Sequence, residues 1–345
     1  MSSHREGNYF GVQSFSFNLD NFPHQPLIRN LYQHYYGQTS FEKENHLSSH
    51  WQFCTQHFDV RITDNKYLHL RGYGFGNQAV VNHFQNTVNW ISHATHAIHA
   101  QKLKNILYIT NIGLRISKKM GLAFSSDCFK QILSLELIMQ YLPLLGKKKY
   151  RVLIIGDGYG FMAALIKEIF PASTIFTIDL GKVLLFQTVY NQLAHPTKEH
   201  RMIDDLKDDH DHPIVYCTAE NRNQLQRWKD IDIAINIASM QEMNSSEIRH
   251  YFDTMRSIMS PNNLFYCCNR EKKILMGGEI SELRQYPYLA EDAHYIDEYC
   301  PWYKYYLTLR PYGGAKGPRW FGIRFPFIQY FDGPFIHRLT KLKIF

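Results

Sequence analysis

Three glycines and one aspartate carry the chemistry that this sequence shows most directly. Gly156, Gly158 and Gly160 follow the apolar segment 152–155, and Asp179 ends a second apolar segment 19 residues after the last glycine. A glycine turn between a strand and a helix lets a ligand approach the backbone closely. An acid at the end of the next strand can accept hydrogen bonds from both hydroxyls of a ribose. The spacing therefore predicts a site for an adenosine-containing cofactor.

The glycine spacing also discriminates between cofactors. Dinucleotide-binding turns follow the pattern G-x-G-x-x-G, and the third glycine of that pattern would fall at Phe161, which is too bulky to approach a phosphate. The sequence has no G-K-[ST], which excludes a P-loop. A G-x-G-x-G turn followed by an acid favours S-adenosylmethionine (SAM). The predicted donor-binding residues are Gly156, Asp157, Gly158, Tyr159, Gly160, Asp179 and Leu180.

Two other interpretations of this segment remain open from the residues alone. In the first, the turn belongs to an ordinary βαβ crossover whose glycines only form a tight bend. In the second, the chain is an NAD-linked oxidoreductase, against which Phe161 and the missing third glycine argue.

Alternating strands and helices have to position these residues, and the pattern from Arg151 onward provides them. Two later segments, 303–309 and 320–325, are predicted to form the antiparallel hairpin that completes a seven-stranded sheet. The predicted fold is α/β, a Rossmann-like class I methyltransferase sheet. Its predicted strands are 152–155, 174–178, 214–217, 231–238 and 264–269, and its predicted helices are 161–169, 183–194, 222–228 and 246–258.

The first third of the chain carries no nucleotide motif. Helical patterning over 27–36, 80–103 and 104–119 predicts an α-rich N-terminal cap, residues 1–120, that contributes to the substrate region. Residues 121–345 are then the predicted SAM-binding methyltransferase domain.

A further ordered set of residues makes a family resemblance specific. The signature N-x-x-S-M-x-E-M is matched after the fourth predicted strand, and an Asn-Arg pair, a lysine, a Gly-Gly-Glu and a Tyr-Pro pair follow. With Gly158-Tyr159-Gly160 and Asp179-Leu180, this set resembles the sugar O-methyltransferase family over about residues 120 to 310. The matched residues are Asn236, Ser239, Met240, Glu242, Met243, Asn269, Arg270, Lys273, Gly277, Gly278, Glu279, Tyr286 and Pro287.

The resemblance implies a class I fold, SAM as methyl donor and a sugar hydroxyl as acceptor, either free, nucleotide-linked or in a glycan. Ser239 and Met240 are then expected beside the donor. A sugar hydroxyl is a poor nucleophile, so a base has to help remove its proton, and we expect Glu242 to be that base. Asn269, Arg270 and Glu279 are expected to bind the sugar. The competing roles are a helix-capping acid for Glu242 and a surface ion pair for the other two charged residues.

One position departs from the pattern of class I methyltransferases. Many of them have an acid two residues before the first glycine, near the amino group of SAM, and this chain has Ile154 there. Either another residue such as Asp157 contacts that amino group, or SAM binding is weakened. A non-catalytic binding or scaffolding protein on the same fold is therefore the alternative function.

Composition limits the partners and the compartment. The net charge of +7 is spread in short runs, without a long basic arm, so nucleic-acid binding is not predicted. Six cysteines without a C-x-x-C pair indicate buried thiols in a reducing compartment. No apolar run approaches ~18 residues, so no membrane span is predicted. We expect a cytoplasmic protein, and a homo-oligomer is compatible with the sequence.

Histidines suggest a metal only weakly. His93, His96 and His99 recur on a helical pattern, and His210 and His212 lie in an acidic run. Spacing alone does not show convergent ligands, so no metal residue is predicted. A divalent cation is considered only because some sugar O-methyltransferases use one.

Overall fold

An eight-stranded sheet dominates the computed structural model, which describes residues 15–37, 47–72, 103–208, 210–307, 317–324, 328–331 and 333–345. Strands β4 to β9 are parallel to one another, and β17 lies antiparallel between β9 and β12. The order is β12-β17-β9-β8-β4-β5-β7-β6. These strands are β4 (Arg151–Ile155), β5 (Thr174–Asp179), β6 (His200–Met202), β7 (Ile214–Thr218), β8 (Ile231–Ile237), β9 (Met259–Arg270), β12 (Ala293–Tyr299) and β17 (Phe335–Lys341).

The central strand β4 shows why this sequence forms a covered parallel sheet. Its four apolar residues are all buried, because helices lie on both faces of the sheet. Val152 and Ile154 belong to one hydrophobic core, whereas Leu153 and Ile155 belong to a second core on the other face. The period of two along the strand thus divides one continuous apolar run between two layers.

Seven α-helices surround the sheet and the N-terminal strands in the described ranges. Residues of α3 to α6 belong to the core that contains Val152, and residues of α7 belong to the core that contains Leu153. Their bounds are α1 (Gln25–Tyr36), α2 (Ser49–Gln56), α3 (Ile106–Met120), α4 (Ser126–Tyr141), α5 (Phe161–Ile169), α6 (Gly181–Ala194) and α7 (Ser245–Ile258).

The predicted α/β fold is confirmed, with β6 as a short additional edge strand. The predicted strands and helices of the parallel half agree with the observed ones to within a few residues, since each is a long buried apolar segment. The helix predicted at 222–228 is instead the 3-10 helix Ala219–Arg227. Its polar sequence buries only Ala219 and Leu225, which does not support a full α-helix.

The predicted closing hairpin was wrong. Strand β17, at 335–341, pairs with both β9 and β12, and β12 covers 293–299. Strand β12 is mostly exposed, so it lacks the apolar pattern that identifies a strand from sequence. The segments chosen from sequence form small separate ladders instead, in which β13 (Tyr305–Leu307) pairs with β16 (Ile328–Tyr330), and β14 (Arg319–Trp320) pairs with β15 (Ile323–Arg324).

The described N-terminal residues contain a small sheet as well as the predicted helices. It has the order β1-β3-β2, formed by β1 (Phe15–Asn18), β2 (Asp59–Thr63) and β3 (Tyr67–Arg71). The predicted helix 80–103 falls almost entirely outside the described residues, and His93, His96 and His99 fall outside them too. No helix in the described part of the chain is long and apolar enough to cross a membrane.

Candidate active site

A cavity of about 270 Å³ lies at the carboxyl ends of the central strands, which is where ligands bind in open α/β sheets. Its wall combines the glycine turn, the ends of β5, β7 and β8, the N-terminal part of α2, and aromatic residues from the C-terminal segment. The lining residues are Leu47, Ser48, Trp51, Asp127, Gln131, Ile154, Gly156, Asp157, Gly158, Met162, Asp179, Leu180, Ala219, Ile235, Ile237, Ala238, Ser239, Glu242, Met243, Glu247, Tyr251, Tyr303, Phe331 and Phe335.

The three glycines of the turn have different tasks. All have positive φ, at +75° for Gly156, +59° for Gly158 and +83° for Gly160, a conformation that side chains disfavour. Gly156 and Gly158 line the cavity, and a Cβ on Gly156 would lie 2.2 Å from Ser239 Oγ. Gly160 is not among the lining residues, and a Cβ there would lie 2.4 Å from Asn191 Nδ2. The third glycine is therefore required by the packing against α6.

Tyr159 also differs from its prediction as a donor-binding residue. Its side chain is buried and packs edge-on against Phe186 and Tyr190, at centroid distances of 5.9 and 5.1 Å. It is not among the residues that line the cavity. The side chain thus anchors the turn to α6, and only its backbone stays beside the site.

Asp157 precedes the N-cap residue Gly160 of α5, and its carboxylate binds backbone N–H groups in the first turn of that helix. Its carboxylate accepts hydrogen bonds from the backbone N–H groups of Met162 (3.0 Å) and Ala163 (2.8 Å). Burial raises the pKa of Asp157 to about 7, against the effect of these two bonds. The residue still lines the cavity, but its oxygens are already engaged by the helix.

Asp179 lies at the tip of β5 with its carboxylate held in place. Oδ1 accepts the backbone N–H of Leu180 at 2.9 Å, and Oδ2 accepts the side-chain amide of Gln187 at 2.7 Å. Burial raises the pKa of Asp179 to about 7. Hydrogen bonds from the backbone N–H groups of Gly158 and Asp157 oppose this rise in pKa, so the carboxylate lies against the glycine turn.

These two raised pKa values predict an unusual pH dependence of stability. The pKa of each carboxyl is about 7 in the folded chain and ~4 in the unfolded chain. At a pH between these two values, the carboxyl binds a proton in the folded state but not in the unfolded state. The free energy of unfolding therefore falls as pH rises through this window. Chemical denaturation at a series of pH values is expected to show this fall, and to show less of it in Asp179→Asn. Parallel profiles of the two proteins would contradict the prediction.

A buried amide network supports the turn from β8 and β9. Asn236 Nδ2 donates to the carbonyl of Ile155 at 2.8 Å, and Asn269 Nδ2 donates to Asn236 Oδ1 at 2.7 Å. Ser239 Oγ donates to the same carbonyl at 2.9 Å, and Ser239 lines the cavity as expected. Asn269, predicted to bind the sugar, is fully buried, and its side chain takes part in this network.

Met240 was predicted beside the donor, and the structure does not place it there. Its side chain is fully buried in the core on the α7 side of the sheet and does not line the cavity. Its backbone N–H is bonded to Asn236 Oδ1, which fixes the bend after β8. At Met240, the N-x-x-S-M-x-E-M signature therefore determines the bend of the backbone after β8 more than a contact with a ligand.

Glu242, the predicted base, lines the cavity within a charged cluster. Lys273 Nζ lies 2.6 Å from Glu242 Oε1, and His50 Nε2 lies 3.5 Å from Oε2. Burial lowers the pKa of His50, an effect that the Glu242 carboxylate opposes. Sequence reasoning missed His50, because it precedes the recognised motifs by about 100 residues and has no pattern of its own.

The Gly-Gly-Glu motif lies between two short strands of a separate ladder, Lys272–Ile274 and Ile280–Glu282, and it holds the first turn of α2. Ser49 Oγ donates to Glu279 Oε2 and accepts the backbone N–H of Gly277, both at 2.7 Å. Ser48 Oγ donates to the carbonyl of Glu242. Glu279 is exposed and not among the lining residues, and its role in binding the sugar stays a prediction.

Arg270 lies behind the cavity wall. Its guanidinium carbon is 5.8 Å from the ring centroid of Phe335, and Phe335 itself lines the cavity. Arg270 is not among the lining residues, so its role in binding the sugar stays a prediction. In the described part of the chain, no group of three or more His, Cys, Asp or Glu side chains is placed to hold a metal ion.

The comparisons with known proteins give only partial structural matches. A cyclopropane synthase, MmaA2 from Mycobacterium tuberculosis, is 13% identical over 39% of this chain and 42% of its own, with a TM-score of 0.26. PKMT2 from Rickettsia typhi, in complex with AdoHcy, is 18% identical over 35% of this chain and 21% of its own, with a TM-score of 0.26. A SAM-dependent methyltransferase from Anabaena variabilis is 7% identical over 60% of this chain and 83% of its own, with a TM-score of 0.37.

The first two of these matches span less than half of the matched chains. No family model and no curated protein matches the sequence. The fold is therefore assigned from the strand order and the glycine turn of this chain itself.

Proposed function

We propose that this chain is a SAM-dependent O-methyltransferase whose acceptor is a sugar hydroxyl. The observation that carries the proposal is the position of Asp179, whose carboxylate lies on the same cavity wall as Gly156 and Gly158. An acid at the end of β5, on the same wall as the glycine turn, suits a ligand with a ribose at one end and a compact polar group at the other.

The cavity offers a place for each part of the donor. Asp179 would accept hydrogen bonds from the ribose hydroxyls, and the backbone of Gly156 and Gly158 would lie against the amino-acid end. Ala219 and Tyr251 line the wall beyond β7 and would contact the adenine ring. When bound, SAM supplies a methyl group on a sulfonium sulfur, which is already a good leaving group.

The cavity wall is rich in aromatic residues and includes Glu242 among its acids. Trp51, Tyr303, Phe331 and Phe335 line the cavity together with Glu242. Aromatic faces suit the C–H surface of a sugar ring, and a carboxylate suits its hydroxyl groups. This combination supports a sugar as the acceptor, as does the ordered motif set from Asn236 to Pro287.

Glu242 would take the proton of the acceptor hydroxyl as its oxygen bonds to the methyl carbon. The C–O bond forms, the C–S bond breaks with its electron pair moving to sulfur, and the proton passes to the carboxylate. Lys273 and His50 hold that carboxylate in position, and alignment of the acceptor oxygen supplies much of the rate.

Glu242→Gln is expected to lower kcat about 100-fold while leaving SAM binding unchanged. This is at the low end for a general base, because the leaving group needs no activation. The measurement is steady-state formation of S-adenosylhomocysteine, with donor affinity from calorimetry. Glu291→Gln is the matched control, since Glu291 is an exposed acid that does not line the cavity, and it is expected to keep kcat within a few-fold of wild type. Unchanged kcat in Glu242→Gln would rule out the base.

The proposal is tested by mass spectrometry of the protein with SAM and a panel of sugars and nucleotide sugars. A product heavier by one methyl group, together with S-adenosylhomocysteine, would support it. SAM binding without transfer to any member of the panel would favour the non-catalytic binding protein, for which Ile154 in place of the usual acid is the motivating feature.

A further inference from the structure

The amino-acid end of the donor lacks its usual acid in this chain, and the structure offers a replacement on α4. Ile154 is buried, and it lines the cavity with an apolar side chain. Asp157, the replacement considered from sequence, has its carboxylate engaged by two backbone N–H groups of α5. Asp127 and Gln131 line the same cavity as Ile154, Gly156 and Gly158. This inference rests on the proposed binding of SAM.

We propose that Asp127 and Gln131 together bind the ammonium group of the donor's amino-acid end. The two residues are four apart on α4, so their side chains project from the same face of the helix. Both residues line the cavity and carry oxygen acceptors, which is the chemistry that an ammonium with three N–H donors requires.

The state of Gln131 is a first argument for a ligand at this wall. Its Oε1 atom is buried and has no hydrogen-bond partner among the described residues. A buried amide oxygen without a partner costs free energy, so buried oxygens of this kind are ordinarily satisfied. An ammonium in the cavity would satisfy it.

The environment of Asp127 is a second, independent argument. Its Oδ1 atom lies 3.3 Å from Nζ of Lys130, yet the Asp127 side chain is 42% exposed whereas that of Lys130 is 1% exposed. The lysine is enclosed by aromatic rings, with Nζ 4.1 Å from the centroid of Phe331 and 4.8 Å from that of Tyr303. Lys130 thus holds Asp127 Oδ1 from a buried position, while the partly exposed Asp127 side chain lines the cavity.

The charge of Asp127 also suits the ligand. The ammonium of SAM would meet a carboxylate of opposite charge, and this attraction is strong where water is partly excluded. Burial lowers the pKa of Lys130, an effect that Asp127 opposes.

Three probes separate this subsite from the rest of the donor site. S-adenosylhomocysteine has the amino-acid end, its desamino analogue lacks only the amine, and 5′-methylthioadenosine lacks the whole amino-acid end. Wild type is expected to bind S-adenosylhomocysteine about tenfold more tightly than the desamino analogue in calorimetry. Asp127→Asn is expected to remove most of that preference while binding 5′-methylthioadenosine within about twofold of wild type.

A second test variant and a control variant complete the experiment. Gln131→Leu does not touch Lys130 and is expected to weaken S-adenosylhomocysteine binding by about threefold, again with 5′-methylthioadenosine unaffected. If Asp127→Asn does not fold, because Lys130 is then buried without its acid, Gln131→Leu still tests the proposal. Asp253→Asn is the matched control, since Asp253 is an exposed acid on α7, and no change is expected.

Two results would overturn the inference, and a third would overturn its premise. Equal losses for S-adenosylhomocysteine and 5′-methylthioadenosine in the variants would show that Asp127 acts only on the fold. Unchanged affinity for both would place the ammonium elsewhere. Wild type binding neither probe would overturn the proposed SAM site, whereas wild type binding only 5′-methylthioadenosine would support a donor site without this subsite.

Discussion

Asp179→Ala is expected to weaken the binding of SAM and S-adenosylhomocysteine about 1000-fold. The carboxylate would accept hydrogen bonds from both ribose hydroxyls, and each bond to a charged acceptor contributes about 2 kcal/mol. Two such bonds correspond to about 4 kcal/mol, which is about three powers of ten in affinity. Because Leu180 and Gln187 already hold the carboxylate in place, little reorganisation reduces this value. Isothermal titration calorimetry of the unliganded protein measures it at a pH above 7, where the Asp179 carboxyl is ionised.

A second variant and a control separate binding from folding. Asp179→Asn keeps one oxygen for the Leu180 N–H but removes the charge, so it is expected to lose about half of the same free energy. Asp205→Ala removes an exposed acid near β6 and is expected to bind as wild type does. Wild-type affinity in Asp179→Ala, with its melting temperature unchanged, would remove the central observation behind the proposed function.

Gly156→Ala is expected to lower the free energy of unfolding by about 4 kcal/mol. Two costs combine at this position. The positive φ of +75° disfavours any side chain by roughly 1–2 kcal/mol. The added Cβ would also lie 2.2 Å from Ser239 Oγ and 2.4 Å from Ser239 Cβ, so the bend after β8 has to move. Urea denaturation followed by circular dichroism provides the measurement.

Gly146 supplies a matched control for the backbone cost. Its φ is +63°, and a Cβ there would meet no atom within 4 Å. Gly146→Ala is therefore expected to cost only the backbone part, roughly 1–2 kcal/mol. The difference between the two variants measures the contact with Ser239, and Ser239→Gly is expected to restore part of the loss in Gly156→Ala. Equal losses in the two alanine variants would show that the contact is unimportant.

The parallel half of the sheet was predictable because its signal is strong and local. Strands such as 151–155 are continuous apolar runs followed at once by glycine or acid residues, so position and boundary are both marked. Strand β12 carries no such signal, because it is an exposed edge whose partner β17 lies far along the chain. Alternation of apolar and polar residues identifies strands that have a buried face, so it does not identify an edge strand that is mostly exposed.

The glycine turn and Asp179 were predictable because the backbone geometry at these positions requires particular residue types. Glycine at 156 and 158 and an acid at 179 are required by the turn and the strand tip, so the motif identified them. Gly160, Tyr159, Met240 and Asn269 belong to the same motifs, but they serve packing. A motif records which residues occur together, and it does not separate those that touch a ligand from those that shape the backbone.

The opposite wall of the cavity had no signal in the sequence. Trp51, Asp127 and Tyr303 come from three distant parts of the chain, and each lies within an ordinary helical or irregular segment. Only the fold brings them to the end of the sheet. The sequence therefore identifies the wall formed by the glycine turn and the strand ends, and it omits most of the opposite wall.

The position of β17 has a consequence for the order in which the chain acquires its structure during synthesis. Strand β12 pairs with β17, and the segment 300–334 separates the two. On the ribosome, β12 emerges before its partner exists, so this edge of the sheet stays unpaired until residues 335–341 are made. The parallel strands can pair earlier, since their partners are already present. We expect the last step of folding to be the insertion of β17 between β9 and β12. This long-range pairing is slow compared with helix formation.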